Sequence, residues 1–201
     1  MVNVEGRVVF EPEFRNADAL RGLEGFDYIW LIWEFSEHRN AAKSPTVRPP
    51  ILGGNERVGV WATRSPFRPN NLGLSSVRIV GIDLDTPEGP VIRVEGADLM
   101  DGTPIFDIKP YVTYADCHPE ARSGFVDETE WQELEVVMPD SVKALFNPSE
   151  QDALTRLLAL DPRPHYHDDA SRVYGLSFAG HDIHFRVEGT RLRVLDDVRI
   201  D

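Results

Sequence analysis

Apolar and polar residues alternate over short runs in the first part of the chain, and a period of two is typical of β-strands. The alternation runs from Val4 to Phe10, from Leu72 to Leu84 and from Val91 to Leu99. Between Phe26 and Phe35 most residues are apolar, which predicts a central strand buried on both faces. Turn residues such as Pro87-Glu88-Gly89-Pro90 separate the runs. Strands joined in this way predict an antiparallel β-barrel or a strongly curled sheet.

Less regular segments complete this part of the chain. Arg57 to Thr63 and Ile105 to Tyr114 have strand-like patterns, and Asn16 or Asp18 could cap a short helix. Ser36 to Asn55 is a long connection with several prolines and glycines, and connections of this length are usually functional or disordered.

The pattern changes beyond about Pro119, where a helical period appears among the strands. Ser149-Glu150-Gln151-Asp152 has the pattern of a capping box, and apolar residues from Ala153 to Leu158 form one helical face that ends before Asp161-Pro162. Strands are predicted from Trp131 to Met138, Val173 to Phe178, Ile183 to Val187 and Leu192 to Val198. We therefore expect two domains: a mainly β domain with an antiparallel β-barrel at residues 1–119, and a small α+β domain at residues 120–201.

The net charge of −13 argues at first against a nucleic-acid partner, because phosphates are bound mainly by cations. The basic residues are unevenly distributed, however. Six of the 21 lysines and arginines lie between Lys43 and Ile79, where Glu56 is the one acidic residue. An acidic protein with one basic region can still orient a polyanion, although a solvated basic loop would give the same pattern.

No stretch of the sequence resembles a targeting or membrane-spanning segment. The longest apolar run, Tyr28 to Trp33, has the length of a strand, and the first residues lack the basic start and apolar centre of a signal peptide. The single cysteine, Cys117, excludes an internal disulfide and fits a reducing compartment. These features predict a cytoplasmic protein.

One loop places cations on a backbone stiffened by prolines. Ser65-Pro66 and Arg68-Pro69 interrupt a strand pattern that returns at Leu72. A stiff loop loses little entropy on binding, so it suits an anionic ligand, while a rigid connection with surface arginines remains the alternative. The side chains that could bind such a ligand are Arg64, Arg68 and Asn70.

Asp107, Lys109 and Tyr111 would lie on the same face of a strand, because side chains repeat every two residues. A carboxylate, an ammonium and a phenol on one face form an acid–base set, although a surface salt-bridge ladder has the same pattern. Cys117-His118 and His165-x-His167 do not supply three or four spaced ligands, so no metal site is expected. Glycine-rich Rossmann and P-loop motifs and the G-x-S-x-G elbow are absent from the sequence.

Three blocks of sequence carry a resemblance to a known family. The first runs from Gly59 to Ser75 and reads GVWATRSPFRPNNLGLS, the second is DGTPIFDIKPY from Asp101 to Tyr111, and the third is TVRPP from Thr46 to Pro50 with Gly53-Gly54-Asn55. The first block is similar to the pattern V-F-A-T-R-S-x-F-R-P-N-P-I-G-x-S of the TrmO family, which is also called the TsaA-like or YaeB family.

The resemblance implies a methyltransferase that depends on S-adenosylmethionine, has a β-barrel instead of a Rossmann fold and works as a homodimer. Its implied substrate is tRNA with threonylcarbamoyl-adenosine at position 37, next to the anticodon, which is methylated at N6. By match of motif, the residues implied at the methyl-donor site are Ser36, Glu37, Arg64, Leu74, Thr103, Pro104, Ile105 and Phe106. Arg48, Arg68 and Asn70 are the expected RNA contacts, and no metal or membrane is implied.

The acceptor nitrogen of such a substrate must lose a proton before it can attack the methyl group. Asp107 or Tyr111 could take that proton, while Lys109 could tune Tyr111 or bind the carboxylate of the modification. Aromatic faces such as those of Trp61, Phe67 or Tyr111 could tolerate the sulfonium cation of the donor.

The chain departs from the family pattern in two places. Ser36 and Glu37 stand where relatives carry a His-Gln-like pair, and the sequence aligns from Gly6 onward, after the strand with which the family usually opens. These departures favour an alternative in which the same barrel is a non-catalytic regulator that binds RNA or protein. A methyltransferase for another nucleoside or for a small molecule is a third possibility.

Overall fold

The computed structural model of the chain describes residues 5–38, 44–49, 52, 56–128, 133–163 and 169–200. The chain forms two compact units. Among the described residues, the first unit comprises those from Glu5 to Val47 together with Val58–Ala121, and the second comprises those of Arg48–Arg57 together with those from Arg122 onward.

Short β-strands make up most of the regular structure in both units. In the first unit the strands are β1 (Glu5–Val9), β2 (Tyr28–Glu34), β3 (Thr46–Val47), β4 (Val58–Gly59), β5 (Leu72–Asp83), β6 (Val91–Glu95) and β7 (Ile105–Pro110). In the second unit they are β8 (Glu135–Val137), β9 (Tyr174–Phe178), β10 (His181–Glu188), β11 (Arg191–Val194) and β12 (Arg199–Ile200). The α-helices are α1 (Thr113–Asp116), α2 (Asp140–Lys143) and α3 (Pro148–Ala159). Turns of 3-10 helix lie at Pro12–Phe14, Ala17–Leu20, Leu23–Gly25, Ser36–His38, Val60–Ala62 and Gly124–Val126.

The first unit contains a five-stranded antiparallel sheet with the order β1-β6-β5-β2-β7. The mainly β, antiparallel prediction is therefore confirmed, and β2 is a central strand. The long strand β5 pairs with β2 through its first half and with β6 through its second half, and Arg78 has a partner in both ladders. The two ladders therefore lie on opposite sides of β5 and are offset from each other along its length. Among the described residues, however, β1 and β7 end the sheet without pairing with each other, so a closed barrel is not observed.

One face of this sheet forms the core of the first unit. The buried side chains are Val8, Leu20, Ile29, Leu31, Val77, Ile92 and Val94. Along β2, Ile29 and Leu31 point into this core, while the alternate residue Tyr28 is 42% exposed. The prediction that β2 is buried on both faces is therefore wrong. The face of the sheet that is not packed in this core also carries the side chains of Asp107 and Lys109 on the neighbouring strand β7.

The strand predicted from Arg57 to Thr63 is wrong beyond Gly59. Val58 and Gly59 pair with Thr46 and Val47, and the chain then enters a 3-10 turn at Val60–Ala62. Val60 is buried, and its carbonyl accepts the N–H of Thr63 at 3.1 Å, so the turn both anchors in the core and closes on itself. The strand predicted from Ile105 to Tyr114 is observed over Ile105–Pro110, and the chain enters helix α1 at Thr113.

The second unit contains a separate sheet with the path β12-β10-β11-β8, and β9 also pairs with β10. The β8–β11 pair is parallel and the other pairs are antiparallel. The strand predicted from residue 131 is observed over Glu135–Val137, and residues 131–132 lie outside the described residues. Helix α3 packs Leu154 and Leu158 into the core of this unit, together with Ile183, Phe185 and Leu192.

The cap of α3 is Asn147 and not the predicted Ser149. Asn147 Oδ1 accepts the N–H of Glu150 at 3.0 Å, and Glu150 Oε2 accepts the N–H of Asn147 at 2.9 Å. Pro148 is the first helical residue, a position at which its missing N–H costs no hydrogen bond.

Candidate functional site

Three segments that are distant in sequence meet at one end of the strands of the first sheet, where β2 ends and β5 and β7 begin. The N–H of Glu34 at the end of β2 donates to Pro104 O at 3.0 Å, and the N–H of Phe35 donates to Asn71 O at 2.8 Å. These bonds join the residues after β2, the residues before β5 and the loop before β7. We call this region the loop edge and define it by Glu34, Phe35, Asn71 and Pro104.

Most residues expected at the donor site lie at or next to the loop edge. Ser36 and Glu37 begin the 3-10 turn one residue after β2, Thr103 and Pro104 precede β7, and Leu74 is the third residue of β5. Thr103 Oγ1 donates to Met100 O at 2.6 Å, which closes the turn that leads into β7. The edge thus brings together backbone groups from three segments, as a binding site for a small ligand requires.

An irregularity in β7 exposes an apolar side chain beside this edge. Trp33 pairs with Ile105 but Ile32 pairs with Asp107, so Phe106 is the extra residue of a β-bulge. Phe106 is 60% exposed and Leu74 is 52% exposed. Bulges are common next to binding sites because the extra residue lacks a ladder partner and its side chain is turned away from the regular face.

The proline loop between Thr63 and Asn71 ends at the loop edge. Arg68 is partly buried and donates from Nη1 to Thr63 O at 2.9 Å, while Arg64 and Asn70 are exposed. The N–H of Ser44 donates to Phe67 O at 3.4 Å, which ties the loop to the segment before β3. Arg48 is exposed and belongs to the second unit, and Gly53-Gly54-Asn55 lie outside the described residues.

Asp107 and Lys109 share one face of β7, with Lys109 Nζ 3.1 Å from Asp107 Oδ2. Lys109 lies opposite Trp30 and Asp107 lies opposite Ile32 on the neighbouring strand β2. Both charged side chains are more than half exposed, so the pair is open to solvent and to a ligand.

Tyr111 lies at the opposite end of the same strands from Pro104. Its ring contacts Tyr28 with 6.2 Å between centroids and Trp30 with 5.8 Å, and its N–H donates to Tyr28 O at 3.0 Å. At about 3.3 Å per strand residue, Tyr111 is roughly 20 Å from Pro104. The pKa of the Tyr111 phenol is raised, mainly by burial and secondly by a hydrogen bond with Cys117. At neutral pH a phenol with a raised pKa stays protonated, so it can donate a hydrogen bond but does not take up a proton.

The structure adds a supporting contact that the sequence did not reveal. Gly73 lies opposite Trp33 on the neighbouring strand, and a Cβ at Gly73 would overlap the Trp33 ring. The ring lies over the glycine, and Trp33 Nε1 donates to Ser75 Oγ at 3.1 Å. Phe35 packs on the same ring with 4.3 Å between centroids. A glycine in a strand was the available signal, because it often marks a close approach of another group.

No group of three or more His, Cys, Asp or Glu side chains in the described part of the chain is arranged to hold a metal ion. His165-x-His167 lies outside the described residues. Nor is any described helix long and apolar enough to cross a membrane.

Family models match both parts of the chain. The model described as the tRNA-methyltransferase O N-terminal domain matches residues 1–117, and the model of the TrmO C-terminal domain matches residues 132–199.

Individual proteins are similar over most of their lengths. A protein of Eikenella corrodens named tRNA (adenine(37)-N6)-methyltransferase is 42% identical over 81% of this chain and 92% of its own. A protein of Escherichia coli K12 with the same name is 34% identical over 92% of this chain and 82% of its own. The Pseudomonas aeruginosa protein named putative S-adenosylmethionine-dependent methyltransferase RcsF is 37% identical over 95% of this chain and 84% of its own.

The fold is also similar to a solved structure. The crystal structure of TrmO from Pseudomonas aeruginosa superposes with a TM-score of 0.74 at 32% sequence identity, and the match covers 98% of this chain and 84% of that one.

Proposed function

This chain belongs to the TrmO family, and we propose from that membership that it is a tRNA methyltransferase dependent on S-adenosylmethionine that methylates N6 of threonylcarbamoyl-adenosine at position 37. The structural observation that carries the proposal is the loop edge. Segments after β2, before β5 and before β7 are joined there by backbone hydrogen bonds of 2.8 and 3.0 Å, and these are the segments assigned to the methyl donor by resemblance. The names of the similar proteins favour this enzyme over a non-catalytic regulator.

The residues at the loop edge fit the chemistry of S-adenosylmethionine. Exposed Leu74 and Phe106 offer apolar surface for an adenine ring, and the bulge at Phe106 offers backbone groups without a ladder partner. The exposed guanidinium of Arg64 could bind a carboxylate in bidentate fashion. When bound, S-adenosylmethionine supplies an electrophilic methyl group.

We assign the proton transfer to the pair on β7. Asp107 accepts the proton of the acceptor nitrogen, because it lies closer to the loop edge than Lys109 or Tyr111 along the same strand. Lys109, 3.1 Å away, supplies a positive charge that can bind the carboxylate of the modified nucleoside. Tyr111 stays protonated because its pKa is raised, and it donates a hydrogen bond instead of acting as the base.

Arg48, Arg68 and Asn70 are proposed to contact the anticodon loop of the tRNA, and Arg64 is shared with the donor site. We further propose that the sheet of the first unit is the barrel of the family, that the domain boundary lies near residue 119, and that the enzyme works in the cytoplasm as a homodimer. The support for the barrel is β5, whose two halves pair with strands on opposite sides.

Methyl transfer from labelled S-adenosylmethionine tests the proposal with two tRNA preparations, one with and one without the threonylcarbamoyl group. Label should enter only the modified tRNA and should be recovered in the nucleoside at position 37. Equal labelling of both preparations would point to a different nucleoside, and binding of the donor without any transfer would favour the regulator.

A further inference from the structure

Trp61 is a large aromatic residue that the proposed function uses neither at the donor site nor in proton transfer, although the sequence offered its face as one of three for the sulfonium cation. It lies in the 3-10 turn Val60–Ala62, and its side chain is 69% exposed. Indole rings usually bury most of their surface, because transfer of a large apolar surface out of water is favourable. An indole left this exposed suggests that its surface is covered by a ligand.

The backbone on both sides of Trp61 is fixed. Val60 is 2% exposed, and its N–H donates to Pro45 O at 3.0 Å. The carbonyl of Val60 accepts both the N–H of Thr63, at 3.1 Å, and Thr63 Oγ1, at 2.9 Å. The turn therefore presents the indole from a rigid base, so little ordering is needed when a ligand binds.

Arg68 is placed against the indole by the same turn. Its Nη1 donates to Thr63 O at 2.9 Å, and its guanidinium carbon lies 5.5 Å from the centroid of the Trp61 ring, within the range of a cation–π contact. No acidic residue occurs between Arg57 and Ile82, so the surroundings in sequence are cationic in a chain whose net charge is −13. A nucleotide has a flat base and a phosphate. The aromatic ring can stack on the base, and the fixed cation beside it can attract the phosphate.

We infer that Trp61 and Arg68 form a stacking platform for an unpaired nucleobase of the tRNA substrate. The inference rests on the proposed function and adds to it a residue that holds the RNA and takes no part in methyl transfer. Trp61 supplies the face on which the base stacks, and Arg68 orients the ring and attracts the flanking phosphate. The same loop ends at Asn71 on the loop edge, so the platform is joined to the donor site by a short, proline-stiffened segment.

Variants at Trp61 test the platform through tRNA affinity. Trp61→Ala should weaken binding of the modified tRNA by about 10-fold, Trp61→Leu should weaken it nearly as much, and Trp61→Phe should retain most of it, because stacking requires an aromatic face. Tyr114→Ala is the matched control, since Tyr114 is 91% exposed on helix α1 and should have no effect. Binding of S-adenosylmethionine, measured by calorimetry, should be the same for all four variants.

Abasic substitutions identify the base. Each unpaired nucleotide of an anticodon stem-loop is replaced in turn by an abasic one, and the affinities of the wild type and Trp61→Ala are compared. At one position the difference between the two proteins should disappear, because that RNA no longer has a base to stack.

Three results would overturn the inference. Equal affinity of Trp61→Ala and wild type, or full affinity of Trp61→Leu, would mean that no base stacks on the indole. Loss of dimers in sedimentation of Trp61→Ala would mean that a second copy of the chain covers the ring. If the wild type transfers methyl groups to tRNA but the variants bind equally well, only the platform fails. If the wild type neither binds nor methylates tRNA, the proposed function fails and the platform with it.

Discussion

Lys109 lies on an exposed strand face with its ammonium 3.1 Å from Asp107 Oδ2. Because a surface ion pair contributes little to stability, Lys109→Ala should leave the folded protein intact. If Lys109 binds the carboxylate of the modified nucleoside, the variant should lower kcat/KM for methyl transfer by about 100-fold or more. The measurement is single-turnover transfer onto modified tRNA.

The second unit contains a matched control for this variant. Lys143 Nζ lies 3.1 Å from Asp140 Oδ1 in a pair of similar geometry that no proposal uses. Lys143→Ala should retain full transfer. Full transfer by Lys109→Ala as well would remove Lys109 from the mechanism and leave a surface ion pair.

At the scale of secondary-structure elements, the start of helix α3 gives a stability prediction. Asn147→Ala removes the acceptor for the N–H of Glu150 and should lower the free energy of unfolding by about 1 kcal/mol. Ser149→Ala, at the position that the sequence pattern suggested, should change it by less than about 0.5 kcal/mol. Urea unfolding of both variants distinguishes the two caps, and a larger loss for Ser149→Ala would contradict the observed capping box.

His184 on strand β10 contacts two carboxylates, an arrangement that we call the histidine clasp and that should depend on pH. His184 Nδ1 lies 3.0 Å from Asp197 Oδ2, and its Nε2 lies 3.0 Å from Asp182 Oδ2. The hydrogen bond with Asp197 raises the pKa of His184 above its ordinary 6.5, Asp182 raises it further, and desolvation opposes both. Because the pKa of His184 is higher in the folded than in the unfolded protein, its contacts with the two carboxylates stabilise the folded protein fully below the ordinary pKa. This stabilisation is lost as the pH rises through the pKa of the folded state.

The wild type should therefore lose stability relative to His184→Asn as the pH rises from below the ordinary pKa of 6.5 through the raised pKa of the folded state. Thermal unfolding of both proteins across this interval measures the effect. A difference between the two proteins that stays constant with pH, or grows in favour of the wild type at high pH, would show that the clasp does not depend on the imidazolium.

Sequence patterns predicted elements well where one face is buried and the other is exposed. The alternation over Leu72 to Leu84 gave β5 almost in full, because Val77 and its alternate neighbours pack on one core. The pattern from Arg57 to Thr63 also alternates, yet the chain turns at Val60. There the burial of one side chain and a turn closed by Thr63 outweigh the strand preference, and such a tertiary contact has no periodic signature.

At the scale of the whole molecule, the cationic loop predicts a salt dependence. If Arg48, Arg64 and Arg68 each contact a phosphate, the logarithm of the tRNA association constant should fall with the logarithm of the salt concentration with a slope of about −2 to −3. Arg64→Ala should reduce this slope by roughly 0.7. Fluorescence anisotropy with labelled tRNA at several salt concentrations provides the measurement.

Arg191→Ala is the control for this experiment, because the Arg191 guanidinium is already held by both carboxylate oxygens of Glu135. Its slope should equal that of the wild type. A flat salt profile for the wild type would contradict phosphate binding by the loop.

The candidate site shows what the sequence could and could not predict at this scale. A strand repeat was enough to place Asp107 beside Lys109, since the pair is local. The same repeat also placed Tyr111 on that face, and the strand rise alone separates it from Pro104 by roughly 20 Å. The bonds from Glu34 to Pro104 and from Phe35 to Asn71 depend on sheet order, which hydrophobic periodicity does not determine. The roles of these residues stay predictions.

The split pairing of β5 has a further consequence for how this protein can vary. Val80 is already an extra residue, because Ile79 pairs with Val94 and Gly81 with Arg93. A residue gained or lost beyond Ile79 inverts side-chain directions only toward β6, since the last backbone bond on the β2 side runs from the Ile79 N–H to Asp27 O. The half of the strand that begins at Asn71 keeps its register through such a change. Insertions and deletions can thus accumulate in the far half of β5 while the geometry of the loop edge is inherited unaltered.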